Sequence, residues 1–173
     1  MHDRVQSIRN VAIDRQFHEA TQPEIKYGFR KVHTLYGLTI GGVNEAVAVH
    51  ETTKCSLWAS GDPMEMFFYM IPLSGLGVTC IQSGLFSTSI PQRCHICSPL
   101  DDYEGLYVCA YFGTTPSANK TVVSAIRKIR CDVFTQKPCY TCAFSFDTKR
   151  ILAGFGFRPV KGSFKNMWVQ DCC

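Results

Sequence analysis

The segment from residue 106 to residue 112, Leu-Tyr-Val-Cys-Ala-Tyr-Phe, constrains the fold of this chain more than any other. It contains no charged side chain, and glycines at positions 105 and 113 bound it. A strand that is apolar on both faces has to be covered on both faces, as the central strands of α/β sheets are. We therefore predict a buried central strand at 106–112 and an α/β fold around it.

A long helix is predicted directly after this strand. Thr115 is a good N-cap, and Pro116 has the fixed φ that suits the first helical position. Apolar side chains then recur at helical spacing and form one stripe that faces the sheet: Val122, Ile126, Ile129 and Val133. The basic side chains lie largely off this stripe, and we interpret them as a solvated face rather than an anion site: Lys120, Arg127, Lys128 and Arg130.

A second strand and helix follow the first pair. Residues 139–146 predict a strand, and Asp147 is placed to cap a short helix from Thr148 to about Phe155. The chain then predicts two more strands, at 157–160 and 164–169, joined by a glycine-containing turn. The chain is therefore expected to end in a β-hairpin.

The first 38 residues predict a short strand and two helical stretches. Apolar and polar residues alternate imperfectly over 7–13, which indicates a first strand. Residues 15–36 hold two helix-like stretches, and the second begins at Thr21 or Gln22. Gly28 interrupts the helical pattern of this second stretch. A strand over 30–38 is the alternative.

Two turn-rich segments complete the predicted architecture. Residues 38–43 run as a strand into a tight Gly-Gly turn, and residues 46–50 are its expected partner, so we predict a hairpin. Residues 91–104 are polar and irregular, which is typical of a surface loop.

No charged residue occurs between Met66 and Gln92, a run of 27 positions. A membrane span is one interpretation of such a run, but Pro72 and several glycines would interrupt a spanning helix. Core strands at 66–73 and 78–81 explain the run better. We therefore expect no membrane contact of residues 66–86.

Composition limits the classes of protein that this chain can belong to. With 173 residues, the chain is long enough for one domain and short for two. Only 18% of the residues are charged, which indicates that some of the surface meets a protein partner in an assembly. The net charge of +4 is carried by dispersed basic residues, so no specific nucleic acid is expected.

The N-terminal residues predict where the protein is found. Residues 1–7 have no apolar stretch behind a basic start, so we expect no secretion through a signal peptide. The ten cysteines would then be reduced and would behave as small apolar side chains. A cytoplasmic location is the expectation that follows.

The order of elements over residues 106–160 is strand, long helix, strand, short helix, and it closes on Leu152-Ala153-Gly154-Phe155-Gly156-Phe157-Arg158-Pro159-Val160. This order resembles the acyl-donor half of the GNAT superfamily of N-acyltransferases. The resemblance implies a GNAT-like α/β (α+β) fold with a mixed central sheet, a long helix after the central strand and a C-terminal β-hairpin. It implies one domain over 1–173, in which 50–105 is an insertion relative to the family.

The same resemblance identifies the turn that would hold a cofactor. Active family members have Gln or Arg, two further residues and Gly-x-Gly or Gly-x-Ala there, and backbone N–H groups bind the pyrophosphate of coenzyme A. This chain has Phe112-Gly113-Thr114-Thr115-Pro116-Ser117-Ala118-Asn119-Lys120, in which the proline removes one donor. We expect no cofactor. If acetyl-CoA binds instead, the residues that would hold it are Gly113, Thr114, Thr115 and Ser117.

The catalytic groups that the resemblance implies are not found. The family commonly has a tyrosine as general acid four residues before the glycine of the Gly-Phe pair, where this chain has Leu152. A general base would have to come from earlier residues, of which Glu51 and His50 are the leading candidates, with Glu65 and His33 behind them. We predict no catalytic residue.

A fold that is kept without its reaction is known in the acyltransferase-like internal virion proteins of short-tailed phages. Thr34-Leu35-Tyr36-Gly37, Ile40-Gly41-Gly42 and the pattern over 139–160 look similar to that class. The resemblance implies a catalytically degenerate assembly protein, such as an internal or ejected virion component. Two alternatives stay open: an active N-acetyltransferase with an atypical cofactor loop, and a zinc-stabilised binding module.

The zinc alternative rests on two C-x-x-C pairs. Cys139 and Cys142 lie in a predicted strand and would point to opposite faces, so they cannot share one ion. Cys94 and Cys97 lie in a loop and are the remaining candidates; they would need partners such as Cys80, Cys55 or His50. We predict no metal site.

Overall fold

The computed structural model describes residues 4–37, 40–87, 89–162 and 166–171, and seven of its strands form one mixed sheet. In chain order they are β1 His18–Glu19, β2 Leu57–Ser60, β3 Met66–Leu73, β4 Gly105–Gly113, β5 Cys139–Cys142, β6 Arg158–Pro159 and β7 Met167–Gln170. The order across the sheet is β1-β2-β3-β4-β5-β7-β6. Neighbouring strands are antiparallel except β4 and β5, which are parallel.

Helices cover both faces of this sheet. They are α1 Arg4–Asp14, α2 Gln22–Tyr36, α3 Val43–Thr53, α4 Gly75–Gln82, α5 Pro116–Val133 and α6 Phe146–Gly154. Buried side chains of α2, α3 and α4 join one apolar cluster, and those of α1 and α5 join a second cluster on the opposite face. The sheet therefore lies between two layers of helices, with one apolar cluster on each of its faces, in a three-layer α/β arrangement.

The predicted centre of the fold is confirmed. β4 lies in the middle of the sheet, with Phe112 in the first cluster and Leu106 in the second. The long helix α5 follows it, and the side chain of Thr115 caps that helix by accepting a hydrogen bond from the Ala118 N–H. β6 and β7 pair antiparallel at the end of the chain, as the predicted hairpin requires. The mixed α/β class with these features agrees with the GNAT-like expectation.

The prediction of a first strand at 7–13 is wrong, because this segment lies in α1. Its buried residues, Val5, Ile8 and Val11, recur every third position, which places them on one side of a helix that packs near α5. The first helical stretch after it is also absent from the described residues, since β1 occupies 18–19. The second helix begins at Gln22 with Thr21 as its N-cap, as predicted.

Two further strand predictions are wrong. Residues 46–50 lie in α3, where Ala46 and Val49 are buried on one helical face, so the predicted hairpin does not form; positions 38 and 39 lie outside the described residues. Residues 78–81 lie in α4 rather than in a strand. In both cases short apolar segments fitted either periodicity, and packing against the sheet selected the helix.

The first eight residues of the charge-free run, 66–73, are explained by their central place in the sheet. All eight residues of β3 are buried between β2 and β4. Within the part of the chain that the structure describes, no helix has the length and apolar character needed to cross a membrane.

The second strand is shorter than predicted, and the helix after it begins two residues earlier. β5 ends at Cys142 rather than at Phe146, and α6 begins at Phe146 with Ser145 as its N-cap, in place of Asp147. Arg130 also departs from the predicted solvated face, since it is buried and donates a hydrogen bond to the Gln170 carbonyl at 3.3 Å. The cause is β7, which packs beside the end of α5.

A candidate binding cleft beside the parallel strand pair

The parallel strands β4 and β5 are paired over three positions only. The register joins Leu106 to Cys139, Tyr107 to Tyr140 and Val108 to Thr141. Beyond this point β4 continues to Gly113, while β5 ends and the chain turns into α6. The two strands therefore separate, and a cleft opens between them.

This cleft has a volume of about 800 Å³. Its floor comes from β4 and β5, one wall from α5, another from α6, and the end of α2 closes it on a further side. The size is in the range of small-molecule sites, which are typically about 300–1,000 Å³. The sequence gives no signal for it, because the two strand segments predicted at 106–112 and 139–146 have nearly the same length and the early end of β5 appears only in the fold.

The charged side chains that line the cleft are both cations. Lys120 and Arg127 reach it from α5, and no carboxylate is present among the described lining residues. Both side chains are exposed, as the predicted solvated face requires, but that face borders the cleft. The cleft therefore favours a ligand that carries negative charge on the side facing α5.

The turn before α5 has most of its N–H groups bonded within the protein. The Gly113 N–H donates to Asn119 Oδ1 at 2.8 Å, and the Thr114 N–H donates to the Glu65 carbonyl at 2.9 Å. The Thr115 hydroxyl accepts from the Ala118 N–H at 3.1 Å. A pyrophosphate would have to replace these partners in order to bind here.

The space around Gly113 is equally limited. A Cβ atom added at Gly113 would lie 2.3 Å from the backbone nitrogen of Asn119. The end of β4 and the start of α5 are therefore in close contact. None of the four positions expected to hold a cofactor, which include Ser117 at the exposed surface, belongs to the residues that line the cleft. Asn119 and Lys120, at the end of the same segment, do line the cleft, so the cleft borders the turn without including these four positions.

The position of the expected general acid lies in the cleft. Leu152 lines it from α6 and has no proton to donate. Sequence reasoning missed two phenols that also line it, Tyr36 from α2 and Tyr111 from β4. Burial raises the pKa of both hydroxyls, and the proximity of Tyr36 raises the pKa of Tyr111 further. Both phenols therefore stay protonated at neutral pH.

The candidate bases lie away from the cleft. His50 Nδ1 accepts hydrogen bonds from the N–H groups of Ser56 and Leu57, each at 3.2 Å, and its Nε2 lies 3.5 Å from the Glu19 carboxylate. Burial lowers its pKa, opposed by Glu19. Glu51 is exposed on α3. Neither side chain lines the cleft.

The cysteine pairs are separated in the fold. Cys94 is exposed, whereas Cys97 is buried, donates to the Asp102 carbonyl and has a pKa raised to about 12 by burial. Cys139 and Cys142 lie in opposite clusters, on the two faces of the sheet. Among the residues with described coordinates, no three His, Cys, Asp or Glu side chains lie close enough together to hold a metal ion.

Comparisons with known proteins find little. No protein-family model matches the chain, and no curated protein matches it. Among solved structures, the chain is similar to an inferred acetyltransferase from Staphylococcus aureus MU50, with 13% identity and a TM-score of 0.42 over 94% of this chain and 90% of that one. At this level the similarity carries no argument about function.

Proposed function

We propose that this chain is a catalytically degenerate acyltransferase-fold protein that acts by binding a protein partner in an assembly. The observation that carries the proposal is the bond from the Gly113 N–H to Asn119 Oδ1. It occupies, with a side chain of the same protein, a donor that a cofactor phosphate would need. Leu152 at the position of the general acid supports the same conclusion.

The energy involved favours the closed turn. A phosphate that displaces Asn119 from the Gly113 N–H exchanges one hydrogen bond for another, so it gives up the net contribution of the bond already made, about 0.5–1.5 kcal/mol. Gly113 itself is buried, and Pro116 has no N–H to offer. Coenzyme A is therefore a poor ligand for this turn.

The partner surface is proposed at the mouth of the cleft. Helix α6 has no buried residue, although several of its side chains are large and apolar. Phe146 is 80% exposed, and Ile151 and Phe155 are each 52% exposed. Leu35 of α2 and Phe144 before α6 extend this apolar surface. Large apolar side chains that are exposed together in this way are typical of sites that meet another protein.

The narrower assignment, to an internal or ejected virion component, rests only on the sequence resemblance over 34–42 and 139–160. It predicts that the partner is another protein of the same particle. A protein–protein role without a virion satisfies the structural argument equally well.

Calorimetry with acetyl-CoA tests the proposal. We expect no measurable heat of binding to the purified protein at acetyl-CoA concentrations up to about 1 mM, where even a weak complex near −4 kcal/mol is half-formed. Micromolar binding would overturn the proposal. The variant Asn119→Ala is the comparison, because it releases the Gly113 N–H; it also shortens one side chain of the cleft wall on α5 but leaves the floor unchanged.

An active N-acyltransferase is the second candidate, and the cleft favours it. A cavity between two separating strands, with Lys120 and Arg127 on one wall, could hold an anionic acyl donor, and Tyr36 or Tyr111 could donate the proton. Transfer of a radiolabelled acetyl group to any amine would support this function. Absence of transfer across a broad panel of amines would exclude it.

A further inference from the structure

The thiol of Cys80 and the imidazole of His95 form a pair outside the cleft. Cys80 Sγ lies 3.3 Å from His95 Nε2, a hydrogen-bond distance for sulfur. The two residues come from different segments, the end of α4 and a short helical turn at 93–95. The sequence named Cys80 only as a metal partner and did not predict this contact.

His95 is held in place by its surroundings. It is 5% exposed, and the ring of Phe86 lies 5.8 Å from its own. Among the described residues, its Nδ1 has no hydrogen-bond partner. The polar contact of the ring is therefore the one between Nε2 and the Cys80 thiol. The imidazole thus has a fixed position with Nε2 directed at the sulfur.

The backbone on both sides of the pair is also fixed. The Cys80 carbonyl accepts hydrogen bonds from the N–H groups of Leu85 and Phe86, at 2.8 and 3.1 Å. On the other side, the Ser74 N–H donates to the His95 carbonyl at 3.1 Å, and Gly77 packs directly on that carbonyl. The thiol and the imidazole therefore keep their separation without a ligand.

We propose that Cys80 is a covalent modification site for soft carbon electrophiles, with His95 as the base that activates its thiol. A cysteine beside a histidine is the arrangement that makes a thiol nucleophilic. Cys80 is partly exposed, as Cys109 and Cys131 are, whereas four cysteines are buried: Cys55, Cys97, Cys139 and Cys142. Of the three partly exposed cysteines, Cys80 is the one whose sulfur contacts an imidazole in the described residues.

The reaction balances without another reactant. The Cys80 Sγ–H proton passes to His95 Nε2, and the sulfur attacks the electrophilic carbon. With iodoacetamide, an S–C bond forms, the C–I bond breaks and iodide leaves with the bonding electrons. The imidazolium then returns its proton to water.

Competition within one molecule tests the proposal. Cys94 is more exposed than Cys80, and its thiol contacts the Gln92 side-chain oxygen at 3.7 Å. If exposure decides reactivity, limiting iodoacetamide will label Cys94 first; if His95 activates the thiol, it will label Cys80 first. We expect Cys80 to react about tenfold faster or more, since positioned bases contribute about 10²–10⁴-fold and partial burial offsets some of this. Faster labelling of Cys94, measured by peptide mass spectrometry, would overturn the proposal.

The variant His95→Gln separates activation from position. Glutamine keeps a polar group near Nε2 but cannot accept a proton, so we expect labelling of Cys80 to slow about tenfold while that of Cys94 is unchanged. An unchanged Cys80 rate would overturn the proposal. Labelling of the buried Cys97 would show that the variant is not folded. In that case the proposal is decided by the ratio of the Cys80 and Cys94 labelling rates in the wild-type protein.

Discussion

The Asn119 side-chain oxygen accepts the hydrogen bond of the Gly113 N–H at 2.8 Å, across the turn between the central strand and the long helix. The Gly113 N–H is one of the donors at the end of β4, and Asn119 lies in the first turn of α5. One side chain thus ties the strand end to the helix start and withdraws a backbone donor from any ligand.

Replacing Asn119 with alanine should destabilise the protein. The Gly113 N–H would lose its partner in a buried position, at a cost of about 1–3 kcal/mol in the free energy of unfolding. Denaturation in urea measures this. Asn119→Asp, which keeps an acceptor oxygen and places negative charge in the first turn of a helix, should be close to wild type. Equal losses in both variants would show that the hydrogen bond is not the cause.

Stability should fall on acidification because of His50. Its pKa in the fold lies below the ordinary value of 6.5, so in this range the unfolded chain binds more protons than the folded one. The contribution of His50 to the free energy of unfolding is therefore fully present above a pH of about 7. It decreases as the pH falls through the ordinary histidine range toward the folded pKa.

The variant His50→Asn isolates this effect. Asparagine keeps an oxygen that can accept from the Ser56 and Leu57 N–H groups but does not titrate. We expect a smaller decrease between pH 7 and 5 (roughly the histidine range) than in wild type, measured by urea denaturation at each pH. Glu51→Gln, at an exposed neighbouring position, should keep the wild-type decrease.

Two glycines of α4 should respond oppositely to alanine. At Gly77 a Cβ would lie 2.1 Å from the His95 carbonyl oxygen, so α4 must move and we expect a loss of about 1–3 kcal/mol or more. At Gly75 the nearest atom is Glu104 Cγ at 3.9 Å, so the alanine should be neutral or stabilise by up to about 1 kcal/mol. Thermal denaturation compares them. Similar melting temperatures for Gly77→Ala and wild type would contradict the packing of α4 on His95.

Placing a tyrosine at position 152 should not create an acetyltransferase. The cleft has room for the larger ring, but the turn at Gly113 still lacks donors for a cofactor phosphate. We expect acetyl transfer by Leu152→Tyr to stay at background, with Leu152→Phe as the control that adds the ring without its hydroxyl. Transfer by the tyrosine variant alone would instead show that the missing acid was the sole defect.

The local signals explain how far the sequence could predict this fold. The strand at 105–113 and the helix start at Thr115-Pro116 could be predicted, because a buried strand and a helix N-cap depend on residues that are adjacent in the sequence. The segment 7–13 does not contain such information, because its few apolar residues fit either a strand or a helix. The choice of a helix depends on α5, against which this segment packs. Arg130 was misjudged for the same reason: its burial depends on β7, about forty residues later.

From the sequence alone come the α/β class, the central strand and its capped helix, because each depends on residue type or near neighbours. The sequence also shows a leucine at 152, where the resemblance would place a tyrosine. The tertiary structure decided three other features: the cleft between β4 and β5, the closure of the turn by Asn119, and the approach of Cys80 to His95. The cleft and the Cys80–His95 contact join segments separated along the chain. The Asn119 contact spans six residues but depends on the angle at which α5 leaves β4. Periodicity and composition carry no information about such distances, which are set when apolar faces pack together.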